Sequence, residues 1–332
     1  MKTEYIFEPW QNSNNSTFTL FAALTHKCNL KCIHCFAAKD GRVDESSNLS
    51  FDDWKTIIDQ LCNSSDYRLF FTGGEPLIYS RIFELAAYCS SKSNPIPMIV
   101  GTNATLITDS VAMRMVEVGI KEARVSLDGA TQASHDAVRG KGSFVAAVSG
   151  IESLIKANIP VAIRTTLNCY NIVELGKIAK FITQLGISDW EIKHTIPTGR
   201  AKMHQNLIIT SKQRADGLET VLDIARKNIY PELHIKLMEG TLNPSADIPS
   251  SISVAACPAG KRMMIVHPNG NVIPCGYLNS NVIGNLKNES LQSIRQAWER
   301  VPKRCVPESC IRCKNLEICK GGCPAYNFCE SI

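Results

Sequence analysis

The chain lacks any long apolar run. Hydrophobic residues make up 44% of its 332 positions, yet no apolar stretch approaches the roughly 20 residues of a membrane-spanning helix. The nearest candidate, residues 17–25, is short and follows Glu4 and Glu8 where a secretory leader would be basic. We therefore expect a globular protein of the cytoplasm with no membrane contact, in which 17–25 forms a first strand.

A stripe of basic and aromatic residues is also missing. The formal charge is +5, but the lysines and arginines are scattered and only 7% of the residues are aromatic, which argues against a nucleic-acid partner. That charge counts every cysteine as neutral. If ten cysteines bind as thiolates to three clusters with core charges of about +2, the sites contribute on the order of −4 and the loaded protein is nearly neutral.

Cysteine, in contrast, is plentiful and unevenly placed. Of the 14 cysteines, eight lie between Cys257 and the C-terminus. Disulfide frameworks belong to small secreted domains, so in a cytoplasmic chain this density favours ligation of metal ions or iron-sulfur clusters.

Short apolar runs alternate with amphipathic stretches over the first 200 residues. The sequence predicts strands at 20–25, 68–72, 98–102, 123–128, 161–167 and 190–196. It predicts helices at 51–61, 80–90, 109–118, 144–157, 173–185 and, further on, 212–228. This alternation predicts an α/β fold with a parallel sheet and right-handed crossovers, open or rolled into a partial barrel.

The composition changes after about residue 205. We expect an N-terminal extension at 1–16, an α/β domain at 17–205, a linker with a bridging helix at 206–250, and a small cysteine-rich domain at 251–332. The last segment has too little apolar periodicity to build its own core. Ligation should therefore supply part of its folding free energy.

Three cysteines follow the first predicted strand, at the end of the sheet where functional groups gather. Cys28, Cys32 and Cys35 could be three buried apolar residues, but polar residues follow them closely. A zinc site completed by His34 is a second alternative, although structural zinc sites usually recruit two cysteine pairs. Three thiolates can also hold three irons of a cubane and leave the fourth iron open to a ligand.

The CxxxCxxC spacing of these cysteines resembles the signature of the radical S-adenosylmethionine (SAM) superfamily. The resemblance implies a partial (β/α)6 barrel in which the open iron of a 4Fe-4S cluster chelates SAM. An electron from the cluster then cleaves SAM to a 5′-deoxyadenosyl radical. His34 stands where the family usually has another aromatic residue, so the resemblance implies that its ring contacts the adenine.

A second motif falls at the end of the second predicted strand. Gly73-Gly74-Glu75-Pro76 resembles the GGEP turn of the family, which implies that this backbone and the Glu75 carboxylate receive the ammonium group of SAM. Glycine permits a close backbone approach, and a carboxylate offers a charge-assisted hydrogen bond. Asn103 follows the third predicted strand and is expected at the same edge as a cofactor-binding residue.

Two further strands carry polar candidates. The segment Ser126-Leu-Asp128-Gly resembles the strand with which the family binds the ribose and carboxylate of SAM, so Ser126 and Asp128 are cofactor-binding candidates. A plain turn role for Asp128 stays open. Arg164 should point into the barrel, where its charge needs an anion. That anion is a carboxylate of the cofactor or substrate, or else the partner in an internal salt bridge.

The spacing of the C-terminal cysteines resembles the SPASM extension of radical SAM enzymes, which binds two auxiliary 4Fe-4S clusters. Carried over, the pattern assigns to the inner cluster Cys257, Cys275 and Cys323, and to the outer cluster Cys310, Cys313, Cys319 and Cys329. Some relatives have another cysteine shortly after the first, where this chain has Met263 and Met264. The inner cluster would therefore keep an open iron or take Cys305 as a ligand.

The resemblance implies a radical SAM oxidoreductase, for which the sequence names no catalytic acid or base. SPASM members mostly modify ribosomally made peptides or mature a sulfatase, so the expected substrate is a peptide or protein side chain. A flavodoxin or ferredoxin would donate the electrons. Oxidation of a small molecule in an aminoglycoside, haem or pterin pathway is the alternative.

The N-terminus bears on this choice. Only about 25 residues precede Cys28, too few for a winged-helix module that holds a leader peptide. This favours a small molecule or a separate peptide carrier protein. A non-enzymatic electron carrier or structural zinc protein is disfavoured by the cofactor motifs on the barrel.

Overall fold

The computed structural model describes residues 17–38, 45–64, 66–238, 248–254, 257–259, 262–278, 281–297, 311–312, 316–319 and 323. Within these ranges one mixed sheet has the order β11-β10-β9-β1-β2-β3-β4-β5-β6-β7-β8. The strands are β1 Phe18–Ala23, β2 Tyr67–Thr72, β3 Met98–Thr102, β4 Ile120–Ser126, β5 Val161–Leu167, β6 Asp189–His194, β7 His234–Leu237, β8 Ile252–Val254, β9 Met263–Val266, β10 Asn271–Ile273 and β11 Gly284–Asn285.

The sheet is parallel from β9 through β1 to β8, and only β10 and β11 are antiparallel to their neighbours. Its two edges are β8 and β11, so the sheet is an unclosed, partial barrel among the described residues. The predicted α/β fold class is confirmed. The six predicted strands correspond to β1 to β6, with both ends of β3 and β5 as predicted.

Helices cover the outer side of the sheet. They are α1 Phe51–Cys62, α2 Ile82–Ser90, α3 Asp109–Glu117, α4 Gln132–Arg139, α5 Ser143–Lys156, α6 Leu175–Gln184, α7 Ser211–Arg226, α8 Leu291–Gln296 and α9 Leu316–Cys319. Capping side chains fix the residue at which several of these helices begin. The Ser50 hydroxyl accepts from the Asp53 amide while the Asp53 carboxylate accepts from the Ser50 amide, a capping box that begins α1.

The described helices include none that is both long enough and apolar enough to cross a membrane. Three described helices, α4, α8 and α9, were not predicted, and α4 is the one that contacts the cysteine loop. It has eight residues and is mostly polar, so its pattern resembles a loop, although Thr131 caps it by accepting from the Ser134 amide.

The C-terminal region extends the same sheet. Strand β9 pairs in parallel with β1 and places Met264 opposite Leu20. Met264, Val266 and Val272 are fully buried in the hydrophobic core that also contains Leu20 and Leu69. At the other edge, β7 lies within the predicted linker and pairs with β6. Neither extension was predicted, because strands of three or four residues are too short to show a period.

This shared core gives a stability prediction. Replacing Met264 by Ala should lower the free energy of unfolding by about 2–5 kcal/mol, because its side chain is fully buried between β1 and the outer helices. Thermal unfolding of the cluster-loaded protein should shift as a whole by several degrees. Met203→Ala, at a residue 63% exposed, is the matched control. A shift confined to a minor, separate transition would show that the C-terminal strands do not share the barrel core.

Candidate functional site

The loop after β1, residues 24–38, carries the first three cysteines and lies on the carboxyl ends of the strands. We call it the cysteine loop. The turn after β2 contacts it closely: the Gly74 amide donates to the Thr25 carbonyl (2.7 Å) and the Glu75 amide to the Lys27 carbonyl (2.9 Å). A Cβ on Gly73 or Gly74 would collide with one of those carbonyl oxygens. The two glycines are therefore required by contact between backbones, and their predicted cofactor contact stays a prediction.

The far side of the cysteine loop is held by chain that follows β4 and β6. The Ile33 amide donates to the Val138 carbonyl (2.9 Å) at the end of α4. After β6, the Arg200 amide donates to the Cys35 carbonyl (3.0 Å) and its guanidinium donates to the Cys32 carbonyl (2.9 Å). Segments that follow β2, β4 and β6 thus all donate or accept hydrogen bonds at one loop. These three strands are not adjacent in the sheet, so the sheet has to curve to bring all three segments to the loop.

The three thiols face different surroundings. Cys28 is exposed, Cys35 is half-buried and Cys32 is buried. The Cys28 sulfur accepts from the Leu30 amide (3.4 Å), and the Arg139 guanidinium lies 3.9 Å from the Cys32 sulfur. Burial raises the pKa of the Cys32 thiol, while Arg139 acts in the opposite direction. An arginine beside a buried sulfur suits a thiolate ligand of a cluster.

The arrangement does not fit a single zinc ion. Among the described residues, no three His, Cys, Asp or Glu side chains converge closely enough to hold one metal ion. A zinc ion needs its sulfur ligands at about 2.3 Å, whereas a 4Fe-4S cubane has a separate iron for each thiolate. The cysteine loop therefore fits a cluster better than zinc.

Asp128 links the cysteine loop to the sheet. Its fully buried carboxylate accepts from the Arg139 Nε (2.7 Å), the Thr166 amide (2.7 Å) and the His34 ring (2.7 Å). Burial would raise the pKa of Asp128, but Arg139 and His34 outweigh it and hold that pKa well below its usual range. Both carboxylate oxygens are used within the protein. The structure thus shows an anchoring role for Asp128, and its predicted contact with the cofactor stays a prediction.

His34 is positioned by this anchor. Its side chain is only 7% exposed, and its Nδ1 has no hydrogen-bond partner among the described residues. Because the ionised Asp128 carboxylate can only accept, Nε2 carries the ring proton and donates it in this hydrogen bond, which leaves Nδ1 as a buried acceptor. An exocyclic amine such as that of adenine would satisfy it, which fits the predicted cofactor contact without testing it.

Glu75 is buried with neutral partners only. Its carboxylate accepts from the Leu77 amide (3.3 Å), the Thr102 hydroxyl (2.7 Å) and the Asn103 amide (2.9 Å). Burial raises the pKa of Glu75 to about 7 in spite of these bonds. A buried carboxylate without a cation is costly, so the site fits an ammonium ligand. Asn103 lies beside it and donates to the Asn29 side chain (3.0 Å) within the cysteine loop.

The last two barrel candidates lie on adjacent strands. Ser126 is half-buried at the end of β4, opposite Arg164 in the register with β5. The Arg164 Nε donates to the Glu191 carboxylate (2.5 Å) on β6. Of the alternatives left open for Arg164, the internal salt bridge is therefore present in the structure. Cofactor binding by Ser126 and Arg164 stays a prediction.

Three of the auxiliary candidates fall within the described residues. Cys257 and Cys323 are buried, and Cys275 is half-buried just after β10. Tyr277 packs with Cys323 and also with Phe36, the residue after Cys35, at a ring-centroid distance of 4.8 Å. Met264 belongs to the core, away from any ligand role. Cys305, Cys310, Cys313 and Cys329 lie outside the described residues, as does the side chain of Cys319.

Several residues of the site were not predicted from the sequence. These are Phe36, Thr102, Arg139, Arg200 and Tyr277. Arg139 lies four residues after His135 on a mostly polar helix, and only the structure shows that both side chains are buried. The contacts of Arg200 and Tyr277 join segments more than 160 residues apart, and no local pattern reports such distances.

Comparison with known proteins identifies two matched regions. The radical SAM superfamily matches residues 23–182. The iron-sulfur cluster-binding SPASM domain matches residues 257–324. These two regions contain the cysteine loop, the Gly73–Gly74 turn and all but one of the auxiliary cysteine candidates.

Curated relatives match nearly the full chain. An AdoMet-dependent heme synthase of Nitratidesulfovibrio vulgaris is 29% identical, covering 92% of this chain and 87% of the relative. The mycofactocin maturase MftC of Mycolicibacterium smegmatis is 28% identical, covering 97% and 82%.

Solved structures share the fold at lower identity. anSMEcpe with bound AdoMet superposes with a TM-score of 0.72 at 19% identity, covering 92% of this chain and 89% of that one. Streptococcus suis SuiB bound to its precursor peptide SuiA has a TM-score of 0.69 at 19% identity, covering 95% and 73%.

The Glu75 geometry gives a binding prediction. Glu75→Gln keeps the size of the side chain and removes the charge that would meet the SAM ammonium. A hydrogen bond to a charged group contributes about 1.5–3 kcal/mol, so the dissociation constant for SAM should rise roughly 10- to 100-fold. Anaerobic equilibrium binding to the cluster-loaded protein measures this. Glu84→Gln, at an exposed residue of α2, is the control, and equal SAM affinity in the two variants would remove Glu75 from the site.

Proposed function

This chain is a radical SAM enzyme with a C-terminal SPASM domain, and we propose that it oxidises a peptide or protein side chain by hydrogen abstraction. Its cofactors are SAM, a SAM-binding 4Fe-4S cluster and auxiliary iron-sulfur clusters. When bound, these groups supply the electron that cleaves SAM and the 5′-deoxyadenosyl radical that abstracts hydrogen.

The protein's own residues supply position and charge. Cys28, Cys32 and Cys35 would hold the first cluster on a loop that segments from three strands fix in place. Arg139 donates toward the Cys32 sulfur and so stabilises its thiolate form. Glu75 would orient SAM through its ammonium group, at the edge of the sheet where the cysteine loop lies.

One contact carries the oxidoreductase proposal. Phe36 follows Cys35 and Tyr277 follows Cys275 by two residues, and their rings touch at 4.8 Å between centroids. Gly276 packs so closely on Phe36 that a side chain there would collide with the ring. The segments of Cys35 and Cys275, proposed ligands of the first and the inner auxiliary cluster, are thus neighbours across this aromatic pair.

Such proximity suits a two-electron oxidation. After a hydrogen atom has been abstracted, the substrate radical still has to lose one electron and one proton to give a product with two fewer hydrogens. An acceptor for that electron must lie near the substrate. A cluster on the Cys275 segment would lie close to the cysteine loop, through the contact of Tyr277 with Phe36, and this proximity supports an oxidative reaction.

The peptide assignment is supported by the MftC relatives, which are named as maturases and match 97% of this chain. A flavodoxin or ferredoxin as electron donor and a separate peptide carrier remain predictions. Neither follows from the described residues.

A tetrapyrrole substrate is the second candidate. The specific observation that favours it is the group of relatives named heme synthase or Fe-coproporphyrin III synthase, which are 27–29% identical and match 90–93% of this chain. Under this alternative the radical chemistry and the clusters are the same, and only the substrate differs.

Turnover with defined substrates decides between the two. We expect the reduced enzyme with SAM to form 5′-deoxyadenosine and to lower the mass of a precursor peptide encoded beside its gene by two hydrogens. Mass spectrometry of peptide and nucleoside measures both products. Conversion of Fe-coproporphyrin III with no change in any peptide would replace the peptide assignment by the tetrapyrrole one. Formation of 5′-deoxyadenosine without conversion of either substrate would contradict both assignments.

A further inference from the structure

The inner face of the barrel, opposite the hydrophobic core, is charged. Along β4, β5 and β6 its charged members are Glu122, Arg124, Arg164, Glu191 and Lys193. They alternate with core residues such as Val125, Ile163 and Ile192. Charges that line a barrel interior must be paired with one another or with a ligand.

The carboxylates of this face are already paired. Glu191 accepts from the Arg124 Nη1 (2.7 Å) and from the Arg164 Nε (2.5 Å), and Glu122 accepts from the Arg124 Nε (2.6 Å). Nearer the cysteine loop, Asp128 is occupied by Arg139 and His34. Each of these carboxylates therefore has an arginine, and none is left for a further cation.

Lys193 is the remaining cation of this face, and these carboxylates do not pair with it. No hydrogen bond or ion pair joins its side chain to any other residue, within the part of the chain that the structure describes. The side chain is half-buried, so water does not fully replace an anionic partner. Burial, with Arg164 nearby, lowers the pKa of Lys193 to about 8, as expected for an ammonium group that lacks a counter-charge.

Its position is next to the proposed reaction centre. Lys193 lies two residues beyond Glu191 towards the carboxyl end of β6, in register with Thr166 on β5. Its Nζ is 5.9 Å from the centre of the Phe36 ring, which belongs to the aromatic pair between the two cluster sites. A substrate that lies between the proposed SAM cluster and the Cys275 segment would therefore be close to this ammonium group.

We propose that Lys193 binds a carboxylate of the substrate and thereby orients the substrate in the barrel. This inference rests on the proposed function, because it assumes that the substrate lies between the two cluster sites. The chain terminus or an acidic side chain of a peptide can supply the carboxylate, as can the propionates of a tetrapyrrole. The shared chemistry is an anionic carboxylate that pairs with an ammonium group.

Binding of matched acid and blocked ligands tests this proposal without turnover. One pair is Fe-coproporphyrin III and its tetramethyl ester. The other is the precursor peptide and the same peptide with its carboxylates blocked as amides. Anaerobic calorimetry on the cluster-loaded protein with SAM gives each dissociation constant. The variants are Lys193→Met, which removes the charge, Lys193→Arg, which keeps it, and Lys180→Met, a control at an exposed lysine of α6.

In at least one pair, the acid form should bind the wild type and Lys180→Met at least 10-fold more tightly than the blocked form. Lys193→Met should lose this preference, and Lys193→Arg should recover most of it. The pair that shows the effect identifies the source of the carboxylate. SAM affinity and iron content should be the same in all variants.

Three results would overturn the proposal. The first is the absence of acid preference in both pairs for the wild type, and the second is acid preference that survives in Lys193→Met. The third is weaker SAM binding by Lys193→Met with unchanged ligand binding, which would assign the ammonium group to the cofactor carboxylate. Failure of the proposed function has a different signature, because the wild type would then convert neither the peptide nor the tetrapyrrole, whatever the binding of the acid and blocked ligands.

Discussion

The docking of the cysteine loop onto the strand ends is the constraint on which the site depends. The loop contains no regular element, so its shape comes from hydrogen bonds to other segments: the Gly74 and Glu75 amides on one side, and Val138 and Arg200 on the other. These partners follow β2, β4 and β6, and in a flat sheet one strand would separate each of these from the next, which would keep the three segments apart. Only a curved sheet brings them to one loop, and the barrel is therefore a requirement of the cysteine geometry.

The same constraint joins the auxiliary region to the barrel. Because β9 pairs directly with β1, the chain that leads to Cys275 starts beside the strand that leads to Cys28. The turn between β9 and β10 lies at the carboxyl edge, and β10 then runs back antiparallel to β9. In the chain that follows β10, the Tyr277 ring meets Phe36 of the cysteine loop. The distance between the two sites is thus set by strand pairing within one sheet, which is more rigid than a contact between separate domains.

The sequence predicted what is local in this protein. Strands β3 and β5 were predicted at both ends, because continuous apolar runs bounded by turn residues mark buried strands. The spacing of Cys28, Cys32 and Cys35 predicted the first cluster site, since ligand spacing is itself local, and this assignment stays a prediction. Long-range pairing was not predictable: the roles of Arg139, Arg200 and Tyr277 arise from contacts across 100 residues or more. The glycines after β2 were expected to approach a ligand. The structure shows them against the backbone of the cysteine loop, a second requirement for glycine that the sequence did not predict, and the ligand contact stays a prediction.

The central claim is that the cysteine loop alone holds the cluster that cleaves SAM. Electron paramagnetic resonance of the reduced protein, with and without SAM, tests it most directly when the wild type is compared with a variant in which Cys28, Cys32 and Cys35 are all alanine. We expect SAM to alter the spectrum of the wild type and to leave the spectrum of the variant unchanged. The variant should also form no 5′-deoxyadenosine while keeping about eight of about twelve irons. A response to SAM, or cleavage of SAM, that persists in the variant would show that the cluster that cleaves SAM is bound elsewhere in the chain.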